Sequence, residues 1–173
     1  MRSLARLSVL LLALPAFAGL FGCAHYQLGT GAKPKFATLY IAPVTSDVLL
    51  PQSQALITTQ LRDAFVRDGR VALADSADTA DAVLRVNLTS YAREVAVVRP
   101  DDTGLARRFD INLRAVATLT DTRTKQALFE KRPLAVKRGA FTDSGQLQSE
   151  YQLLPLLAAQ LADDTLHAVL DTW

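Results

Sequence analysis

The chain reads as an α+β two-layer sandwich: a mixed four-stranded sheet with two helices packed on one face, in the order β-α-β-β-β-α. Three observations predict this. From Phe109 to Leu119, apolar Phe109, Ile111, Leu113, Ala115, Ala117 and Leu119 alternate with Asp110, Asn112, Arg114 and Thr118, the period of a half-buried strand. Two other stretches, 53–69 and 149–173, carry their apolar residues at helical spacing on a single stripe. The chain has 173 residues, half of them hydrophobic, and one cysteine, so a single apolar core and no internal disulfide must hold it together.

In chain order, residues 1–22 stand apart from the fold. Arg2 and Arg6 precede the apolar run Leu7 to Ala18 with no acidic residue, which is the pattern of a secretory signal. The short segment Leu20-Phe21-Gly22-Cys23 that follows resembles a bacterial lipobox, in which the cysteine receives a diacylglycerol thioether and, after cleavage, an acyl chain such as palmitate. Gly22 supplies the small residue needed before the cut, and Ala24 rather than Asp after the cysteine resembles lipoproteins delivered to the outer membrane. Residues 23–35, with Gly29, Gly31 and Pro34, read as a lipidated tether, and 36–173 as the folded domain.

Phe36 to Ile41 is a short apolar strand stopped near Pro43. A helix opens at Pro51 and Ser53, buries Ile57, Leu61, Ala64 and Phe65, and closes at Asp68-Gly69, where glycine supplies a left-handed cap. Val71 to Thr79 reads as a connection. A long strand, Ala82 to Val98, places Leu84, Val86 and Leu88 inward and Arg85, Asn87 and Thr89 outward. Asp101-Asp102-Thr103-Gly104 is turn chemistry. After the partner strand 109–120, Ala127 to Phe141 forms a third long strand, and Pro133 assigns it to an edge or a bulge. Ser149 to Trp173 is the closing helix, with Leu154, Leu157, Leu161, Ala168 and Val169 buried and Pro155 in its first turn. Each helix has one apolar stripe, so both cover the same face of the sheet and leave the other polar.

Motifs for chemistry are few. Two histidines, His25 and His167, far apart in the chain, do not make a metal centre, and Asp75, Asp78 and Asp81 have the wrong spacing for a calcium loop and suit turns and caps. No phosphate loop or nucleophile elbow is present, so neither an enzyme nor a cofactor beyond the lipid on Cys23 is expected. Without Arg2 and Arg6, seventeen basic side chains face seventeen acidic ones, a balance that disfavours nucleic acid as a partner. The basic residues are nonetheless clustered. Arg99 lies at the tip of the first long hairpin, Arg107 and Arg108 begin its returning strand, and Lys131-Arg132 and Lys137-Arg138 lie on the last strand. Arginine forks hold phosphate, so a phosphorylated lipid is a fitting ligand for a membrane-tethered domain.

Taken together, four segments resemble the LptE family of LPS-assembly lipoproteins: Gly22-Cys23-Ala24-His25-Tyr26-Gln27-Leu28-Gly29, the strand–Pro–helix run from Leu39 to Arg67-Asp68-Gly69, Ala80-Asp81-Ala82-Val83-Leu84 leading to Tyr91, and the strand pair from Phe109 to Phe141 with its closing helix. The resemblance implies an outer-membrane lipoprotein on the periplasmic side. Such a protein plugs an LptD-like β-barrel, helps it assemble, and takes part in lipopolysaccharide transport. It also implies lipopolysaccharide contacts at Arg99, with Arg107 and Arg108 beside it. A second basic contact lies in the family between the last strand and the closing helix. Here residues 139–173 contain no Lys or Arg, and Lys137 and Arg138 are the nearest substitutes. A lipoprotein regulating a periplasmic peptidoglycan synthase, or a generic small-domain envelope lipoprotein, remains the alternative, although a tether of 12 residues from Ala24 to Lys35 is short for reaching the cell wall.

Overall fold

The computed structural model describes residues 34–50, 52–98, 106–141 and 146–171. Its elements run β1 (Thr38–Ile41), β2 (Thr45–Ser46), α1 (Ser53–Asp68), β3 (Ala72–Leu73), a single 3-10 turn (Ala77–Thr79), β4 (Ala82–Val98), β5 (Ala106–Asp121), β6 (Ala127–Phe141) and α2 (Gln146–Leu170). The α+β class, the mixed sheet and the two helices agree with the sequence reading. The strand count does not: the sheet has six strands in the order β3-β1-β4-β5-β6, with β2 also paired to β4. The two additional strands, β2 and β3, have two residues each, too few to show any period, and β3 lies inside the stretch expected to be a plain connection. They exist because a parallel neighbour offers free backbone groups, Thr38 and Leu39 of β1 pairing with Ala72 and Leu73, and Asn87 and Leu88 of β4 with Thr45 and Ser46.

β4, β5 and β6 form an antiparallel meander, and β1 joins β4 in parallel. β6 is an edge strand, as Pro133 requires. Of the register shifts along the meander, one in β4 and one in β6 change which face the following residues present. In β4, Leu88 pairs with Ala115 and Ser90 with Arg114, so Thr89 is the extra residue, and beyond it Tyr91 points to the helices and Glu94 to the open face. In β6, Ala117 and Leu119 of β5 pair with Arg132 and Phe129, and Lys131 takes the left-handed φ of 44° that the extra residue demands.

One core holds the layers together. Ile57, Leu61, Ala64 and Phe65 of α1 and Leu157, Leu161, Val169 and Leu170 of α2 are buried against Leu84, Val86, Leu88, Ile111, Leu113, Leu119 and Val136 of the sheet. α1 ends at Gly69, whose φ of 72° and N–H bond to the Phe65 carbonyl (3.1 Å) make the expected left-handed cap. α2 starts at Gln146, earlier than expected, so Pro155 stands inside the helix rather than in its first turn. There it forfeits a bond to the carbonyl of residue 151, a loss made bearable by exposure of both residues to water. The stretch Tyr151–Leu170 is long and apolar enough to cross a membrane, but its Leu157, Leu161 and Leu166 stripe is buried on the sheet, as in a core helix.

Candidate functional site

Charged side chains sort themselves by strand parity. On the open face of the sheet, Glu94 of β4 lies directly opposite Asp110 of β5, a like-charge cross-strand pair that would repel if left alone. β6 supplies the remedy. Lys137 Nζ reaches Asp110 Oδ2 at 2.9 Å and Glu94 Oε2 at 4.0 Å, and Arg108 Nε approaches Asp110 Oδ1 at 3.5 Å. The Asp110 side chain is only 16% exposed beneath two cations about half exposed. The Lys137 ammonium, by hydrogen bonding, holds the Asp110 carboxyl below the usual carboxylate range, and the same bond raises Lys137 above its ordinary value. Both therefore stay charged at neutral pH. Gly139 provides the clearance for Arg108: a Cβ there would come within 2.9 Å of Arg108 Nε and 3.1 Å of Nη2.

Of the residues the sequence marked for anion binding, Arg108 and Lys137 thus meet, through Asp110. Arg138, next to Lys137, pairs in register with Ile111 and faces the helix side instead. Arg93 shares that side and lies 5.9 Å from the centre of the Phe109 ring. Arg107 belongs to β5, but its side chain, together with Arg99 and Cys23, lies outside the described residues, as do the signal and tether as far as residue 33. Arg132 is engaged in packing: its Nη1 donates to the Ala168 carbonyl near the end of α2, and its guanidinium lies 4.1 Å from the Phe129 ring centre. The bulge at Lys131 is what brings Phe129 and Arg132 to the same side of β6.

Other polar clusters are structural. Asp81, read as a turn or cap residue, accepts the N–H groups of Ala37 and Thr38 on Oδ2, both at 3.0 Å, while its own N–H donates to Thr38 Oγ1 at 2.8 Å. Asn87 accepts from Thr45 Oγ1 at 2.9 Å and donates to Asp47 Oδ2 at 2.6 Å, tying β2 to β4. Sequence reasoning missed a network at the helix ends. There Arg70 donates from Nε and Nη2 to both oxygens of Asp68 (2.8 and 3.0 Å) and from Nη1 to Asp171 Oδ1 (2.6 Å), and His167 Nδ1 lies 2.5 Å from Asp171 Oδ2. Arg70 and Asp171 are 101 residues apart, so no local signal could join the two local pairs. Arg70 holds the Asp171 carboxyl below its ordinary range, with His167 adding to the effect. Among the described residues no group of three metal-ligating side chains comes together.

The family described as "LptE: Lipopolysaccharide-assembly" matches residues 36–169, from two residues before β1 almost to the end of α2. The chain belongs to the LptE family. No match is found among the curated proteins. Three solved structures share the fold of this LptE-family chain. Uncharacterized lipoprotein B from Nitrosomonas europaea is 16% identical, with 79% of this chain and 81% of that one covered at a TM-score of 0.52. Rare lipoprotein B from Shewanella oneidensis is 18% identical, with 76% and 92% covered at 0.50. PelC from Paraburkholderia phytofirmans, a dodecamer, is 14% identical, with 80% and 91% covered at 0.51. At such identities these likenesses concern the fold alone.

Proposed function

We propose that the chain is an outer-membrane lipoprotein, anchored on the periplasmic side through acylated Cys23, that plugs an LptD-like β-barrel, assists its assembly and takes part in lipopolysaccharide transport. The observation that carries this reading is the family match over 36–169, which spans nearly the whole domain rather than one motif. The surface is consistent with it. Both helices occupy one side of the sheet, and the other side presents Arg85, Thr89, Asn112, Arg114 and Thr118, a polar wall suited to the water-lined interior of a barrel. Tyr151 and Leu156 add exposed apolar area on α2, of the sort a protein partner covers. Arg99, Arg107, Arg108, Lys137 and Arg138 are the basic residues through which a phosphorylated glycolipid would be held, with Arg108 and Lys137 on the open face and Arg138 across the sheet from them.

The test is purification of the tagged full-length protein from detergent-solubilised membranes and identification of its stoichiometric companion. A large β-barrel of the LptD kind, retained through size exclusion, is the expected result. A peptidoglycan synthase in its place, or a chain that elutes alone, refutes the barrel assignment.

A further inference from the structure

Backbone parity can be followed across the meander from one edge to the other. The carbonyls of Leu84 and Leu88 accept the N–H groups of Ala42 and Asp47, so these residues of β4 face away from β5. Arg85 and Asn87, in the opposite phase, face toward it and meet Thr118 and Val116. In β5 the alternate residues Ala115, Leu113 and Ile111 then face β6, where they meet Leu134, Val136 and Arg138. What β6 turns outward is the N–H and C=O groups of Ala135, Lys137 and Gly139, with Pro133 in the same phase. Pro133 agrees with this assignment, because a proline has no N–H to give and belongs where the ladder needs none. β6 ends the sheet, and no strand lies beyond it among the described residues.

We infer that the edge of β6 from Ala135 to Gly139 is a strand-addition site, which takes an extended segment of a partner protein carrying an acidic residue opposite Arg138. Main-chain pairing supplies the affinity and side chains choose the partner. The stretch 131–140 contains Lys131, Arg132, Lys137 and Arg138 and no acid. Lys137 already holds Asp110 at 2.9 Å. Arg138 is exposed on the helix side, and no acid pairs with it among the described residues. Its backbone faces β5, so a residue added opposite it forms a non-hydrogen-bonded pair, in which side chains come closest.

A second copy of this chain does not fit the edge. An antiparallel copy centred on Lys137 or on Arg138 sets like charges opposite each other. One centred on Val136 brings Pro133 opposite Gly139, where the missing N–H breaks the ladder. The bulge at Lys131 closes the lower part of the edge. These features exclude self-pairing and leave an acid-bearing strand as the matching occupant. The pairing groups are backbone amides, so this site does not depend on the anion reading of Arg108 and Lys137.

The experiment uses isotopically labelled full-length protein in neutral detergent micelles, with its amide resonances followed by NMR. The probe is an acetylated and amidated peptide, Thr-Val-Thr-Glu-Val-Thr-Val, whose one charge is the glutamate. It should bind saturably and slow amide exchange at Ala135, Lys137 and Gly139, whereas Leu134, Val136 and Arg138 are protected by β5 before it is added. Lysine in place of the glutamate should weaken binding about three- to tenfold, and Arg138→Glu should reverse that preference. Ala135→Pro removes an outward donor and keeps the bonds to β5, so it should fold and bind the probe about tenfold more weakly. A probe N-methylated at the alternate residues that would donate to β6 should not bind, and it decides the matter if Ala135→Pro fails to fold. No binding of the glutamate probe, equal binding of its N-methylated form, or equal binding of the lysine form overturns the inference. So does a dimer in size exclusion whose Ala135, Lys137 and Gly139 amides are protected without peptide, because a second copy then holds the edge.

Discussion

Replacing Asp81 with alanine tests how the domain fastens its first strand. The carboxylate gathers the N–H groups of Ala37 and Thr38 on one oxygen, and the Asp81 backbone donates back to Thr38 Oγ1, so β1 is locked to the start of β4 at the point where the chain comes into the sheet. The main-chain oxygen of Asp81 also accepts from Thr122 at 2.8 Å and is untouched by the substitution. Two charge-assisted bonds are lost at a half-exposed site where water replaces part of each, so the cost is about 1–2 kcal/mol. For a domain of this size that is a fall in Tm of about 3–8 °C. The pH dependence identifies the cause. The N–H donors of Thr38 and Ala37 hold the Asp81 carboxyl below its ordinary range. A folded pKa below the unfolded one means that the contribution is complete above the unfolded value, about 3.9, and is lost as pH falls through the folded value. The difference in stability between wild type and Asp81→Ala should therefore be constant from pH 7 to about 5 and close progressively below 4. Urea unfolding followed by circular dichroism across that range measures it. Equal midpoints at pH 7, or a gap that persists undiminished at pH 2.5, would refute the argument.

Arg132→Ala should cost about 1–3 kcal/mol in chemical denaturation, because it removes both the bond to the Ala168 carbonyl at the end of α2 and the stack on Phe129; Arg132→Lys keeps the charge near the helix end and should fall between. An alanine variant as stable as wild type would show that the contact carries no weight. Cys23→Ala should abolish incorporation of radiolabelled palmitate and release the protein from the membrane fraction, with the domain's Tm unchanged. Retained label on the variant would place acylation at another residue.

What was legible in the sequence depended on unbroken periodicity. β5 alternates from Phe109 to Leu119 without a bulge of its own, and its faces are those the alternation predicts. β4 and β6 were recognised over their full lengths, Ala82–Val98 and Ala127–Phe141, but their bulges reverse which side chains face the helices, and no residue type at Thr89 announces that reversal. β2 and β3 were invisible because two residues have no period and owe their pairing to a neighbour far along the chain. Pro155 misled about α2 for a different reason: proline favours a first turn, but a solvent-facing position deep in a helix tolerates it where the freed carbonyl can be hydrated. In the candidate site, the basic residues could be listed from sequence but not their partners, since Asp110 looked like one polar residue among several on an outward face.

That difference between listing charges and placing them governs how the basic segments of this chain should be read. Lys137-Arg138 looks like a doubled charge, yet a strand sends adjacent side chains to opposite faces, so one joins Asp110 on the open side and the other faces the helix layer. Lys131-Arg132 is divided by a bulge, and Arg132 ends as a cap on α2 rather than as a ligand. What is left around Asp110 is two cations already matched by two acids, with Arg114 and Arg85 elsewhere on the same face. The basic residues that the sequence singles out on this face, Arg108 and Lys137, therefore add no net charge around Asp110. An anion bound at cations matched in this way should lose less affinity to added salt than at a bare basic patch of equal cation count, because part of the charge neutralised in the complex is neutralised beforehand.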